Sequence, residues 1–322
     1  MDACLNTPAP ETAFIGVDVA QAEVVVCHHG RDATHSVANN PRALHAWLKT
    51  LRPGSRIALE STGSYHETLA RLAHRCAMVV YVLNPKDVRY YARSVGERAK
   101  TDQVDARILA RYIAREHEAV HPWQPPSAQQ RQIDTLLKRR AVVVRSLGAV
   151  RQSMTRLAAL KAQIKEATAG LDALIDAIDQ EIERVLARQE ATRAQAQRLR
   201  SIPGIGLLSS AALLNVFERV PTARADAVVA YSGLDPRPCD SGQRRGKRRL
   251  SKRGPAELRR LLFNAAMSAA KTRTWRPYYE RERAKGLATT AALVALARRL
   301  LRVAFALYKT QQSFDPNMAK VA

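Results

Sequence analysis

The chain has 322 residues, and its 52 Lys and Arg against 29 Asp and Glu give a formal net charge of +23. Hydrophobic residues make up 46% of the sequence, and because that is enough apolar surface to build cores, a wholly disordered chain is excluded. The length favours two domains or one domain with a long appendage, no run approaches the ~18 apolar residues of a membrane helix, and the large positive charge favours nucleic acid as the partner.

The first third of the chain predicts a mixed α/β sheet. Apolar runs over residues 14–19 and 24–27 predict two early strands, and a third is expected near residues 35–37. Strands and helices then alternate. These later elements are a helix from Asn40-Pro41, a strand at 57–59, a helix after the turn Thr62-Gly63-Ser64, a strand over 78–83 that Asn84-Pro85 ends, and a helix over 101–115. Three strands followed by this alternation favour a mixed sheet over an all-parallel one.

The remaining two thirds are predicted to be mainly helical. Residues 128–200 carry Leu, Ile and Val at three- and four-residue spacing, which predicts two long helices in an antiparallel coiled coil with a break near Gly170. Further helices are expected over 225–231, 255–270 and 289–309, around a Gly-, Pro- and Arg-rich loop at 236–254. The Pro-rich segment 122–126 marks a boundary. The expected domains are 1–125, a linker and dimerisation region at 126–200, and a C-terminal domain at 201–322.

The cysteines and the N-terminus predict a cytoplasmic protein. Cys4, Cys27, Cys76 and Cys239 lie far apart and form no C-x-x-C pair, so we expect reduced thiols rather than a zinc site or a disulfide scaffold. The segment from Met1 to Phe14 lacks a basic region followed by an apolar core, so no secretory signal is expected.

Four carboxylates stand where an acidic centre could form. Asp18 and Glu60 lie in or just after predicted buried strands, where an ionised carboxylate is costly without a positive partner. Asp102 and Asp105 are three residues apart on a predicted helix and therefore share one face. Taken singly, each has a simpler explanation. Asp102 would cap the helix, Asp105 would favour the helix dipole, and the strand acids would pair with Arg.

Taken together, the four acids predict a site for Mg²⁺. Two strand acids and an acid pair on a later helix can converge at one end of a mixed sheet. Mg²⁺ takes oxygen ligands and keeps several waters, and either one ion or two would suit such a cluster. Two ions ~3.5–4 Å apart stabilise the attacking and the leaving oxygen in phosphoryl transfer.

The loop near residue 240 concentrates positive charge. Ten basic and two acidic residues between Arg237 and Arg260 give a net charge of +8. This uneven placement favours backbone phosphates as the counterpart over a solvated loop or a merely Arg-rich composition. The predicted contacts are Arg237, Arg244, Arg245, Lys247, Arg248, Arg249, Lys252 and Arg253. The segment Gly242-x-x-x-Gly246-Lys247 is not a phosphate loop, because the spacing is one residue short and Arg248 replaces the required Ser or Thr.

Two further features have both a structural and a functional interpretation. The segment 202–206 (IPGIG) is typical of a helix-hairpin-helix turn, in which Gly204 and Gly206 let backbone amides approach a phosphate, but it is equally compatible with a plain turn. Ser241, between Asp240 and Gly242, would on spacing alone be a turn residue. Ser251 also lies among basic residues, but it precedes a helix that it is expected to cap.

These motifs, in this order, resemble the DEDD transposases of insertion sequences, which are related to Piv-type DNA invertases and include bridge-RNA-guided recombinases. The resemblance covers residues 13 to 315. It rests on Gly16-Val17-Asp18, residues 59–65 (LESTGSY), Asn84-Pro85, Lys100-Thr101-Asp102-x-x-Asp105-Ala106-Arg107, residues 202–206, Ser241-Gly242 and residues 251–254 (SKRG).

The resemblance implies a RuvC-like (RNase H-like) fold for residues 1–125, with Asp18, Glu60, Asp102 and Asp105 as the four acids. It also implies that Ser241 is a nucleophile that forms a phosphoserine link to DNA, with Mg²⁺ assisting cleavage and rejoining. Ser251 is the rival nucleophile and ranks lower, because it leads into a helix. The implied partners are donor and target DNA, a structured bridge RNA as guide, and further copies of the chain, as a dimer and as a tetramer on synapsis. A nucleoid-associated bacterial protein is therefore expected. The alternatives are a hydrolytic RuvC-like nuclease or Holliday junction resolvase, and an inactive nucleic-acid-binding relic.

Overall fold

The structure is a computed structural model that describes residues 13–319 apart from 62, 64, 221–223, 239, 242–245 and 247. The predicted turn residues Thr62 and Ser64, the thiols of Cys4 and Cys239, and the predicted contacts Arg244, Arg245 and Lys247 lie outside the described residues. The chain divides into two compact units, Met1–Pro125 and Pro126–Ala322.

The first unit is a five-stranded sheet with helices on both faces, which confirms the predicted mixed α/β architecture. The strand order is β3-β2-β1-β4-β5, in which β1 and β3 pair antiparallel with β2, while β1, β4 and β5 run parallel. Its elements are β1 (Phe14–Val19), β2 (Glu23–His28), β3 (Thr34–Ala38), α1 (Pro41–Leu48), β4 (Arg56–Glu60), α2 (His66–Arg75), β5 (Val79–Leu83), α3 (Pro85–Ser94) and α4 (Asp102–Glu116).

Helix α3 was not predicted from the sequence. Asn84-Pro85 ends β5 as expected, but the same two residues also begin a helix. The Asn84 side chain accepts a hydrogen bond from the Lys86 amide at 3.0 Å, and Pro85 occupies the first helical turn. Asn at the N-cap followed by Pro is a strong helix start, because the cap satisfies a free amide and Pro has none to satisfy.

The strand side chains alternate between two hydrophobic cores. Ile15 and Val17 of β1 pack with Leu59 of β4 against α1 and α2. On the other face, Ala58 of β4 packs with residues of α3 and α4, among them Leu109. Successive side chains in a strand point to opposite faces, so the residues between the buried apolar ones face α4. This alternation determines the side of the sheet on which the strand acids lie.

The second unit is almost entirely helical. Its elements are α5 (Ala128–Ser153), α6 (Lys161–Ala187), α7 (Glu190–Arg200), α8 (Leu207–Phe217), α9 (Ala225–Ser232), β6 (Pro236–Arg237), β7 (Arg249–Leu250), α10 (Ala256–Ala269), α11 (Arg276–Ala284) and α12 (Thr289–Thr310). Helix α8 is buried along nearly its whole length, and its Phe217 packs in one core with Leu300 of α12 and with Trp275. None of the helices in the described part of the chain is long and apolar enough to cross a membrane.

Helices α5 and α6 form an antiparallel pair. Arg140 of α5 bonds Asp179 of α6 at 2.8 Å, and Arg151, further along α5, bonds Asp172, which lies earlier in α6. The predicted break near Gly170 is wrong, because α5 ends at Ser153 and α6 begins at Lys161, while Gly170 is exposed inside α6. A single Gly costs a helix only about 1 kcal/mol, which the surrounding helix formers outweigh.

Candidate active site

Strand pairing brings the two strand acids side by side. The parallel register of β1 and β4 matches Gly16 with Ala58 and Val17 with Leu59. The next residues along each strand are Asp18 and Glu60, so both carboxylates lie at the carboxyl end of neighbouring parallel strands. Because Val17 and Leu59 point towards α1 and α2, the two acids point to the opposite face, which α4 covers.

Gly16 allows α4 to lie directly on β1. A Cβ atom on Gly16 would stand 2.8 Å from the Leu109 Cβ and would overlap the Ala106 carbonyl oxygen and the Ala110 nitrogen. No side chain larger than hydrogen fits between the strand and the helix, so α4 approaches β1 as closely as backbone atoms permit. The sequence motif contained Gly16, but only the packing explains why Gly stands there.

The first turn of α4 brings the second pair of acids to the same place. The Thr101 hydroxyl accepts a hydrogen bond from the Val104 amide at 3.3 Å, which makes Thr101 the N-cap. The simpler interpretation of Asp102 as the cap is therefore wrong. Asp102 and Asp105 lie in the first turn, where the helix dipole favours a negative charge, and α4 holds this turn near Asp18.

The four carboxylates share one electrostatic field. Burial, followed by the charges of Asp102 and Asp105, raises the pKa of Asp18 to about 6, although the Val19 amide and Lys100 act in the opposite direction. Burial and the charges of Asp18 and Asp105 also raise the pKa of Glu60. These shifts are typical of like charges held together in a half-buried site.

Asp105 behaves in the same way as the strand acids. Burial raises its pKa, Asp102 and Glu97 add to the increase, and Lys100 opposes it. Among the described residues, no three His, Cys, Asp or Glu side chains are gathered tightly enough to count as a formed metal site. The acids are thus close enough to repel one another, but they are not arranged as a finished coordination shell.

In the second unit, a short antiparallel ribbon supports the basic loop. Pro236 and Arg237 of β6 pair with Leu250 and Arg249 of β7. Between the strands, the Asp240 carboxylate pairs with Arg248 at 3.0 Å and accepts a hydrogen bond from the Gly246 amide at 3.1 Å. The predicted contacts Arg237, Arg248, Arg249, Lys252 and Arg253 are exposed.

The two candidate serines have different environments. Ser241 is exposed. Ser251 is half-buried, and its hydroxyl donates a hydrogen bond to the Asp235 carboxylate. The expectation that Ser251 caps the following helix is wrong, because α10 begins after Pro255. Ser251 therefore ties the two ends of the loop together.

Arg259 and Arg260, which the sequence counted with the loop cations, are engaged inside the unit and are half-buried. The Arg259 guanidinium donates to the carbonyls of Ser232 and Gly254, and burial lowers its pKa. Arg260 forms a bidentate pair with Glu257. Counting charges in the sequence did not separate these two from the exposed ones, because the spacing does not show which guanidinium groups are buried.

The turn over residues 202–206 joins α7 to α8, and its two glycines have different surroundings. Gly204 has a φ of +99°, and a Cβ there would stand 2.6 Å from the Ala269 Cβ of α10. Its small size therefore serves packing. Gly206 is exposed at the N-cap of α8, with open space where a Cβ would be. Of the two predicted phosphate contacts, only Gly206 lies at an open helix N-terminus.

Comparisons with known proteins agree with this arrangement. Residues 15–160 match the model of a DEDD transposase family, and residues 196–280 match the transposase family named after IS116, IS110 and IS902. The chain is 30% identical over 318 residues to the pilin gene-inverting protein of Moraxella lacunata, covering 94% of this chain and 97% of that protein. The corresponding Moraxella bovis protein is 29% identical over 318 residues, with the same coverage of both chains.

A shorter similarity joins the chain to insertion elements. It is 30% identical over 162 residues to an uncharacterised 42 kDa protein of the element IS900 from Mycobacterium paratuberculosis, covering 49% of this chain and 40% of that protein. The fold, the acidic centre and the relatives together define a DNA recombinase of the transposase class. The chain belongs to the IS110/IS116/IS902 transposase family. Membership implies DNA substrates and dependence on a divalent metal.

Removal of one crowded charge is expected to stabilise the metal-free protein. The folded-state pKa of Asp18 is raised from 3.8 to about 6, so ionisation of this carboxyl group destabilises the folded state. The destabilisation is absent below pH 3.8, grows as the pH rises, and is complete above pH 6. Asp18→Asn should raise the free energy of unfolding by about 1–2 kcal/mol at pH 7–8, after allowance for partial exposure. Denaturant unfolding in EDTA between pH 3.5 and 8 measures this gain.

The control is Glu118→Gln, which removes an exposed carboxylate from the same unit. Its effect should be small and should not grow between pH 4 and pH 6. If Asp18→Asn lowered stability at pH 8, the carboxylate would be paired with a cation rather than crowded by other acids.

Proposed function

We propose that the first unit is a RuvC-like domain that holds Mg²⁺ through Asp18, Glu60, Asp102 and Asp105 and cleaves DNA there. The main support is that strand pairing and the first turn of α4 gather these carboxylates at one end of the sheet, where burial and then the charges of neighbouring acids raise the pKa values of Asp18 and Glu60. The strand order β3-β2-β1-β4-β5, in which β2 is antiparallel to both of its neighbours while β1, β4 and β5 run parallel, supports the RuvC-like assignment. The matching family is labelled DEDD, and Asp18, Glu60, Asp102 and Asp105 follow one another in that order of residue types.

The residues fit a hard divalent cation. All four side chains offer carboxylate oxygens. Asp18, Glu60 and Asp105 are half-buried, and burial, followed by the charges of neighbouring acids, raises the pKa values of these three. Such donors suit Mg²⁺ and exclude a soft-metal site, which needs Cys or His. When bound, Mg²⁺ supplies Lewis-acid stabilisation of charge on phosphate oxygens. The protein's part is to hold the carboxylates together, which the close β1–α4 contact does.

Ser241 is proposed as the nucleophile of strand transfer. Its Oγ would form a bond to the phosphorus of a DNA phosphodiester, and the bond from phosphorus to one deoxyribose oxygen would break. The hydroxyl proton leaves the serine, and the departing oxygen ends protonated. The phosphoserine ester conserves the bond energy, so reversal of the step rejoins strands without ATP. The exposure of Ser241 on an Arg-rich loop, with Ser251 engaged by Asp235, supports this choice.

The acids and Ser241 belong to different units, so the reaction requires these units to meet, within one protomer or between protomers. We propose the antiparallel pair α5 and α6 as a coiled-coil linker and dimerisation region, and a tetramer when two DNAs are joined. We also propose that a structured bridge RNA selects the donor and target DNA. The net charge of +23 and an aromatic content of only 5% suit recognition of nucleic-acid backbone rather than of stacked bases.

Ser241→Ala tests the nucleophile. The variant should lose the covalent protein–DNA adduct and reduce strand rejoining by at least about 10³-fold, because alanine has no hydroxyl to carry the ester. The measurement is denaturing-gel detection of the adduct on DNA that carries a nick in the cleaved strand, followed by peptide mapping of the modified residue.

The matched control is Ser268→Ala, which removes an exposed serine from the same unit and should keep the adduct. An adduct that maps to Ser251 would replace Ser241 as nucleophile. Cleavage that is undiminished in Ser241→Ala and leaves no adduct would indicate a hydrolytic nuclease.

Asp105→Asn tests the metal centre. It should reduce Mg²⁺-dependent cleavage by about 10²–10³-fold, because a neutral amide weakens the hold on the ion, while DNA and RNA affinity should change less than about two-fold. Cleavage is followed against Mg²⁺ concentration, and binding is measured in EDTA. Loss of nucleic-acid binding together with cleavage would make the acids structural.

RNA guidance is tested by sequencing the RNA that co-purifies with the protein. A bridge RNA predicts one discrete species encoded next to the gene, retained in moderate salt, because a shaped RNA makes more contacts than charge attraction alone. Random fragments that 0.5 M salt removes would contradict RNA guidance and leave the recombinase assignment intact.

A further inference from the structure

The serine loop, which runs between residues 236 and 250 and contains Ser241, starts and ends at a close-packed base. The base consists of residues 232–235, after α9, and residues 251–254, before α10. Gly233 ends α9 with a φ of +70°, and a Cβ there would stand 2.8 Å from the Arg253 nitrogen. A Cβ on Gly254 would overlap the Tyr231 carbonyl oxygen. The two chain segments therefore cross with backbone against backbone.

Hydrogen bonds continue from this crossing into the ribbon. The Lys252 amide donates to the Gly233 carbonyl at 3.1 Å, and the Ser251 amide donates to the Asp235 carbonyl at 3.0 Å. The Ser251 hydroxyl donates to the Asp235 carboxylate. The pairing of β6 with β7 follows directly. The base thus extends the ribbon that leads to Ser241.

Arg259 lies under the crossing and holds both sides of it. One of its terminal nitrogens, Nη1, donates to the Ser232 carbonyl at 3.3 Å and to the Gly254 carbonyl. Within the described residues no carboxylate pairs with this half-buried guanidinium. Because a buried cation without partners is costly, the two carbonyls are the groups that satisfy it.

We propose that Arg259 is a positioning residue for Ser241, clamping the two ends of the loop so that the serine stays within reach of the phosphodiester. The inference rests on the proposed role of Ser241. Holding the two ends of a loop together costs conformational entropy. Because the Arg259 hydrogen bonds already hold these ends in the free protein, that cost does not fall on DNA binding. Displacement of a reacting group by ~1 Å can cost about 10²-fold in rate, so loosening of the base affects chemistry more than binding.

The test compares three variants of the full-length protein. Arg259→Ala removes the clamp. Arg260→Ala is the matched control, because it removes the same charge from the adjacent position, where the side chain pairs with Glu257 instead of the loop. Arg259→Lys keeps the charge, but its ammonium lacks the planar fork and should restore the function only partly.

Two quantities are measured on each variant: the rate of Ser241–DNA adduct formation with saturating DNA, and DNA affinity in EDTA. Arg259→Ala should slow adduct formation by about 10–100-fold relative to Arg260→Ala, with affinities of the two variants within about two-fold. Arg259→Lys should fall between them. Equal adduct rates in Arg259→Ala and Arg260→Ala would overturn the proposal.

Hydrogen exchange separates local loosening from general unfolding. In Arg259→Ala the amides of Ser251 and Lys252, which bond across the base, should exchange at least about tenfold faster, while those of α8 and α12 stay protected. Loss of protection throughout the unit would indicate a merely structural role and would also overturn the proposal. If the parent protein forms no adduct on Ser241, the proposed function fails, and the positioning role of Arg259 fails with it.

Discussion

The crowding of like charges against one end of a sheet governs the first unit. Burial of the carboxylates from β1, β4 and α4 is costly, and their mutual repulsion adds to that cost, so the surrounding structure must hold them in place. The close contact of α4 with β1 provides that support. It is possible because Gly16 has no side chain, and the cores on both faces of the sheet stabilise it. The clustered carboxylates thus lower the stability of the first unit, as is common at active sites.

The second unit combines a highly basic loop with a hydrophobic core. Its core is built from α8, α10 and α12 together with the N-terminal part of α5 and the C-terminal part of α6. The loop leaves that core between α9 and α10. The base of the loop uses backbone pairing and one half-buried Arg, while Arg237, Arg248 and Arg249 remain exposed. Cations that appear equivalent in the sequence therefore divide into structural and surface groups.

The elements with strong local signals were predictable. The strands β1, β2, β4 and β5 follow from short apolar runs, and α12 follows from its apolar face, because both patterns are properties of neighbouring residues. The missed helix α3 and the misplaced break near Gly170 have a common cause. Asn84-Pro85 can end a strand or begin a helix, and Gly can end a helix or lie within one, so the decision depends on packing outside the local window.

The sequence by itself determined the order of the four acids, the concentration of basic residues near residue 240 and the resemblance to the family, since these depend on residue types in a fixed order. Only the tertiary structure decided that Asp18 and Glu60 lie side by side, that Thr101 rather than Asp102 caps α4, that Gly204 serves packing, and that Arg259 holds the serine loop. Apart from the cap, which joins Thr101 to Val104 within one turn, each of these facts joins residues far apart in the chain. Spacing along the chain does not encode such contacts, because they arise only when strand register and helix packing bring distant backbone atoms together.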